Sequence, residues 1–169
     1  MPCEKLKKFL DKNEIRYQLI SHPTTYTAQL TAASSHVPPE ILAKTVMVIV
    51  DGKFAMAVVP APNRVDLTVL HSCIGAQTVR LASELEFKEK VPGCDVGAMP
   101  PFGNLYGMDV YADEAVACQK EIAFNGGTHS ETVRMSCADF LRLVRPKVMK
   151  FAVRRASYTS SRFSEDRQW

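Results

Sequence analysis

Three short stretches of this chain hold residue types that could do chemistry. The first is Gly97-Ala98-Met99-Pro100-Pro101-Phe102-Gly103, two glycines and two prolines within seven residues. Glycine allows positive φ or close approach of a ligand, while proline fixes φ and removes an N–H. The result is a stiff loop whose few remaining main-chain donors point in set directions, as a site that holds a carbonyl requires; a rigid surface turn has the same composition. The second is Phe124-Asn125-Gly126-Gly127-Thr128-His129. Successive glycines permit a tight turn or an anion-binding nest, and His129 can donate or accept near neutral pH. The third is Lys44, at the start of an apolar, β-branched run, where an ammonium can sit at a pocket mouth or simply snorkel to solvent.

The usual catalytic signatures are missing. The chain has no G-x-S-x-G, G-x-x-x-x-G-K, H-E-x-x-H or G-x-G-x-x-G. His22, His36 and His71 lack ligand-like spacing, and the five cysteines (3, 73, 94, 118, 137) form no C-x-x-C pair. Neither a metal site nor a disulfide framework is expected. A thiol nucleophile formed by Cys94 with His129 is compatible with the sequence, although nothing in it marks Cys94 as activated.

These residues need a scaffold, and 169 residues with 46% hydrophobic and 23% charged side chains suit one domain with a sizeable core. The apolar run Val46 to Val50 is too short to span a membrane, and the N-terminus becomes charged at once. A cytoplasmic location without membrane attachment is the expectation. Net charge is +3, but residues 146–169 hold six Lys or Arg against two acids. That basic end, with its polar Ser-Tyr-Thr-Ser-Ser-Arg stretch, reads as a fraying tail that is either merely solvated or attracts a polyanion such as RNA.

Leu6, Phe9 and Leu10 recur at helical spacing, predicting a helix over 3–13, and Ile15, Tyr17 and Leu19 alternate as a strand. Thr27 is an N-cap for a helix to about Ser35, and Pro38-Pro39 suggest a helical turn into Leu42. Lys44 to Val50, Asp51-Gly52 and Lys53 to Val59 form a hairpin pattern whose continuous apolar character implies burial on both faces. Pro60 to Asn63 is a loop. Asp66 and Gly75 bracket a helix, Val79 and Leu81 mark a strand, and Ser83 to Glu86 is a capping box. Segments 105–111, 115–118, 120–124 and 131–135 look strand-like, and Ser136 caps a helix closed by Pro146. With about seven strands and no regular β-α-β alternation, the fold class is α/β in the α+β sense. The expected form is a mixed, mostly antiparallel, barrel-like sheet surrounded by short helices.

Taken in order, Ala43-Lys44-Thr45-Val46, the Gly97-x-x-x-Pro101 loop and the Phe124-to-His129 stretch resemble the YbaK/EbsC family, as does Val133-Arg134-Met135 leading into Asp139-Phe140. These are free-standing relatives of the editing domain inserted in bacterial prolyl-tRNA synthetase. The resemblance covers residues 3 to 150, giving a deacylase domain at 1–150 and a basic tail at 151–169. It implies hydrolysis of the ester joining a wrong small amino acid (Ala, Cys, Ser or Thr) to tRNA, commonly a proline tRNA. It further implies no metal or cofactor and no protein nucleophile, a terminal ribose hydroxyl and a water assisting instead. By resemblance Lys44 holds the 3′-terminal adenosine, the backbone of Gly97, Ala98, Met99, Pro100, Pro101 and Phe102 orients the aminoacyl carbonyl, and Asn125, Gly126, Gly127 and His129 wall the pocket. The partner would be the acceptor end of aminoacyl-tRNA, not DNA, with tRNA choice made at the acceptor stem or by a partner synthetase. A non-catalytic RNA- or synthetase-binding module is the alternative from a different class.

Overall fold

The structure is a computed structural model that describes residues 3–154. Its centre is the hairpin of β2 (Ala43–Val50) and β3 (Lys53–Pro60), turned by Asp51 and Gly52 at φ 48° and 81°. Both dihedrals are the positive values that a type I′ turn demands. The hairpin lies in a five-stranded sheet ordered β5-β2-β3-β6-β9, with β5 at Val79–Leu81, β6 at Asp109–Asp113 and β9 at Lys147–Met149. Pairing is antiparallel through β5, β2 and β3, but β3–β6 and β6–β9 are parallel, so this sheet is mixed. A second, antiparallel sheet orders β1 (Tyr17–Ser21), β8 (Glu131–Ser136) and β7 (Glu121–Asn125). A parallel bridge between Leu42 and Ala123 joins the two sheets into the expected curved, barrel-like wall.

The alternating pleat explains the apolar run in β2 and β3. Ala43, Met47, Met56 and Val58 face a core shared with the second sheet, α1 (Glu4–Lys12) and α6 (Cys137–Val144). Val46, Val48, Ala55, Ala57 and Val59 face the opposite cluster, with Leu70 of α3 (Leu67–Ile74) and Phe151. Strands covered on both sides have no solvent face on which to alternate. α2 (Ala28–Ser35) packs Ala32 near Leu42, Ala61 and Ala123.

The helix ends follow their cap residues. Thr27, Asp66, Ser83 and Ser136 each accept a main-chain N–H at a helix start, and Ser83 with Glu86 forms the complete capping box of α4 (Glu84–Phe87). Gly75 ends α3 in the left-handed region.

Several local expectations need correction. Residues 115–118 fall in a helix, α5 (Glu114–Ala117), because the buried Asp113 carboxylate accepts Ala115 N–H at 2.9 Å and caps it. The strand expected over 105–111 begins only at Asp109, after a 3-10 turn at Gly103–Leu105. The turn expected from Pro38 into Leu42 does form, Ile41 N–H and Leu42 N–H donating to Pro38 O at 3.1 and 3.3 Å. The loop expected at Pro60–Asn63 gives way to β4 (Asn63–Val65), which pairs antiparallel with β10 (Ala152–Arg154). Phe151 is buried, and β10 extends the described fold to Arg154. The Ser-rich stretch of the tail lies outside the described residues.

Candidate editing site

The segment from Gly97 to Gly103 is anchored by its own apolar side chains. Ala98, Met99, Pro100, Pro101, Phe102 and Gly103 are all buried. Phe102 sits between aromatic rings, with centroids 5.3 Å from Phe124, 5.7 Å from Phe140 and 6.2 Å from Phe9. Its ring is therefore a peg in the core, and only the backbone of this residue remains for a substrate. Gly103 is pressed against the start of β6: a Cβ there would stand 2.6 Å from Met108 O and 2.7 Å from Val110 Cγ2.

The second glycine loop connects β7 to β8 and is bonded directly to the first. Gly127 N–H donates to Ala98 O at 3.0 Å, and Asp95 N–H donates to Gly127 O at 2.8 Å. His129 Nε2 lies 2.7 Å from Val96 O. A carbonyl only accepts, so Nε2 is the donor in this bond. Cys3 N–H donates to Gly126 O at 2.6 Å, which brings the start of α1 underneath the loop. Gly127 has φ 105°, and a Cβ on it would stand 2.8 Å from Cys3 Cβ. Glycine is required there on both counts.

Few main-chain donors are left uncommitted in the first loop. Ala98 N–H bonds to Asp95 O and Phe102 N–H to Pro100 O, whereas Gly97 N–H, at φ 85°, faces only Met99 Sδ at 3.2 Å. A thioether is a weak acceptor, readily exchanged for a carbonyl oxygen. Asn125 adds an acceptor: its side-chain Oδ1 is buried and takes no hydrogen bond from the described residues. Thr45 Oγ1 is in the same condition.

Lys44 is positioned by strand register. It pairs with Val59, is 6% exposed, and follows Leu42 in the direction in which Asn125 follows Ala123, the two strands being bridged in parallel at Leu42 and Ala123. By alternation it shares a face with Leu42 and Val46, the side of β2 toward α2 and α3. The loops at 97 and 126 thus meet through hydrogen bonds, whereas Lys44 is brought to the β7 end of the assembly by the junction of the sheets.

The segment ahead of α2 is a part of the site that residue types did not reveal. Thr25 N–H donates to His129 O at 2.9 Å, and His22 N–H to Ser130 O at 2.9 Å. The buried His22 ring spans Pro23 O at 2.8 Å and Thr132 Oγ1 at 3.0 Å. Tyr26 is 68% exposed with its ring centroid 4.9 Å from that of His129. His-Pro followed by threonines and a tyrosine carries a turn signal only; the exposed aromatic acquires meaning from its neighbour in space.

Cys94 is not set up as a hydrolytic nucleophile paired with His129. Burial pushes its thiol up to about 12, against an opposing hydrogen bond from Tyr106, and His129 is engaged with Val96. Among the described residues no group of three or more His, Cys, Asp or Glu side chains could hold a metal ion, and no helix is long and apolar enough to cross a membrane.

Known proteins resemble this chain in sequence and in fold. The chain is 36% identical over 97 residues to the multifunctional Ser/Thr-tRNA deacylase ProXp-y of Escherichia coli K12, a match spanning 57% of this chain and 58% of that enzyme. It is 29% identical over 107 residues to a proline–tRNA ligase of Bacillus cytotoxicus, covering 63% of this chain and 19% of the ligase. The fold superposes on a protein assigned as a trans-editing enzyme for prolyl-tRNA synthetase with a TM-score of 0.77, at 21% identity, over 89% of this chain and 96% of that one. A family model described as the aminoacyl-tRNA editing domain matches residues 22–143. The chain therefore belongs to the aminoacyl-tRNA editing domain family, the YbaK-type fold to which its ordered motifs point.

Proposed function

We propose that the protein is an aminoacyl-tRNA deacylase acting in trans on tRNA charged with a small wrong amino acid such as Ala, Cys, Ser or Thr, a proline tRNA among the acceptors. One observation carries the reading most directly. Two glycine-bearing loops far apart in sequence are held face to face by three hydrogen bonds, leaving Gly97 N–H against a weak acceptor.

In this reading Gly97 N–H takes the aminoacyl carbonyl oxygen and stabilises the charge that grows on it as water attacks. Asn125 Oδ1 accepts from the α-ammonium or a ribose hydroxyl, and Lys44 holds the 3′-terminal adenosine. Ala98, Met99, Pro100 and Pro101 keep the loop rigid, while Gly126, Gly127 and His129 form the opposite wall and limit side-chain size. An ester activated by its own α-ammonium needs little beyond positioning and oxyanion stabilisation, so a dedicated nucleophile is unnecessary. The ProXp-y likeness places Ser and Thr first among the amino acids to test. Discrimination by pocket size follows the double-sieve principle.

The test is release of amino acid from a panel of Ala-, Cys-, Ser- and Thr-charged tRNAs, with Lys44→Ala alongside. At least one charged tRNA should be hydrolysed, and the variant should be slower by about 100-fold while circular dichroism stays native. Binding of charged tRNA without release from any of the panel would replace this reading with that of a non-catalytic RNA-binding module.

A further inference from the structure

Beneath the paired loops, three side chains from separate segments meet in a way that deacylation does not use. Tyr106, which follows the 3-10 turn, places its hydroxyl 3.3 Å from Cys3 Sγ and 3.4 Å from Cys94 Sγ. The one hydroxyl thus bridges the two thiols. Cys3 precedes α1, and Cys94 stands three residues before Gly97. The same loop holds Cys3 by its own N–H, to Gly126 O, and Cys94 through its neighbour, Asp95 N–H to Gly127 O.

We infer that Cys3 and Cys94 form a redox-sensitive pair, oxidised by a peroxide to a disulfide that staples the start of α1 to the Gly97 loop. This assignment rests on the thiol geometry and is independent of the deacylase reading. A small oxidant is needed because Cys3 is 3% exposed, while the half-buried Cys94 supplies the approach.

The two thiols have different characters. Burial raises the pKa of Cys3, but the Tyr106 hydroxyl, the Leu6 and Lys5 backbone and Cys94 outweigh it and hold the thiol below its ordinary value of 9.0. Cys94 is held up by burial. Cys3 is therefore the attacking sulfur, since the thiolate is the nucleophile. Its sulfur displaces hydroxide from hydrogen peroxide, forming a sulfenic acid, and the hydroxide takes up a proton to leave as water. Cys94 sulfur then attacks the sulfenic sulfur, and its thiol proton departs with the hydroxyl as a second water. Two thiols are oxidised, one peroxide is reduced, and the bond formed is a single S–S. Intracellular disulfides of this kind are transient and sensory more often than structural.

The experiment is a thiol map of the full chain after titration with hydrogen peroxide, alkylation and non-reducing digestion. The expected result is an intramolecular Cys3–Cys94 peptide, reversed by dithiothreitol, with Cys137 still alkylated. In Cys94→Ser, Cys3 should accumulate as a sulfenic acid captured by dimedone. Tyr106→Phe should slow closure, because it removes the hydroxyl that favours the Cys3 thiolate. The inference is overturned if Cys3 and Cys94 remain alkylatable at peroxide doses that oxidise the exposed Cys73 and Cys118, or if only intermolecular disulfides form.

Discussion

The Asp51-Gly52 turn and the Gly126-Gly127 loop both depend on glycine, for different physical reasons. At Gly52 the need is purely conformational: φ is 81°, and a Cβ would meet nothing within 4 Å. At Gly127 φ is 105° and the space of the missing side chain is filled by Cys3. At Gly52 the hairpin turn answers to its two flanking strands, its neighbour Asp51 alone reaching beyond them to Gln77 and Thr78. The site loop answers to α1, the Gly97 loop and the segment before α2 together. A turn made by local geometry tolerates neighbours of many kinds, whereas a loop made by three distant partners transmits any change to all of them.

The largest stability effect is expected at the crowded site. Gly127→Ala should lose about 3 kcal/mol from strained backbone and overpacking together, and should lose deacylation beyond what its unfolded fraction explains. Urea unfolding combined with a rate measured on folded protein separates the two effects. If Gly127→Ala folds and hydrolyses like the parent, the loop is not the tertiary junction described above.

Gly103→Ala isolates crowding from φ. Its φ is not in the left-handed region, yet its Cβ would collide with Met108 O and Val110 Cγ2. A loss of about 2 kcal/mol is expected from steric displacement alone. Gly52→Ala isolates the opposite factor, with about 1 kcal/mol lost through positive φ and an unchanged deacylation rate. A larger loss at Gly52 than at Gly103 would reverse the comparison.

The smallest effect concerns pH. Arg80 grips both oxygens of Glu86, and together with the Ser83 main-chain N–H it holds the Glu86 carboxyl at about 2 against an ordinary 4.5. The folded value is depressed, so its contribution is present above 4.5 and is lost as pH falls toward 2. Glu86→Gln should flatten the acid limb of the stability curve in that window, with a small loss of stability at neutral pH that disappears as pH falls toward 2.

What could be read from the chain beforehand divides along the same line. The β2–β3 hairpin, the caps at Thr27, Asp66, Ser83 and Ser136 and the left-handed Gly75 were legible because each depends on residues within a few positions. Strands β4, β9 and β10 were not, since their three residues lack the apolar alternation of Val79–Leu81 and their partners lie far away. Asp113 shows why the α5 region was misjudged: one carboxylate caps α5 and also accepts Phe151 and Ala152 N–H at 2.8 Å. Asp51 likewise does more than turn the hairpin, its Oδ1 accepting Gln77 and Thr78 N–H at 2.9 Å.

For the site, the two glycine loops stood out in the sequence, but the hydrogen bonds joining them did not. Phe102 was grouped with the substrate-binding residues because it lies inside the loop motif, and its packing among Phe9, Phe124 and Phe140 shows a peg. Tyr26 carried no signal, because an exposed tyrosine becomes notable only beside His129.

The most direct test is single-turnover release of amino acid from Ser- and Thr-charged tRNA by the parent chain and Lys44→Ala at equal folded concentration. The account predicts hydrolysis well above the uncatalysed rate by the parent, and a drop of about 100-fold in the variant. Equal rates for the two proteins, or a parent rate no faster than spontaneous hydrolysis on both tRNAs and on their Ala- and Cys-charged counterparts, would contradict it.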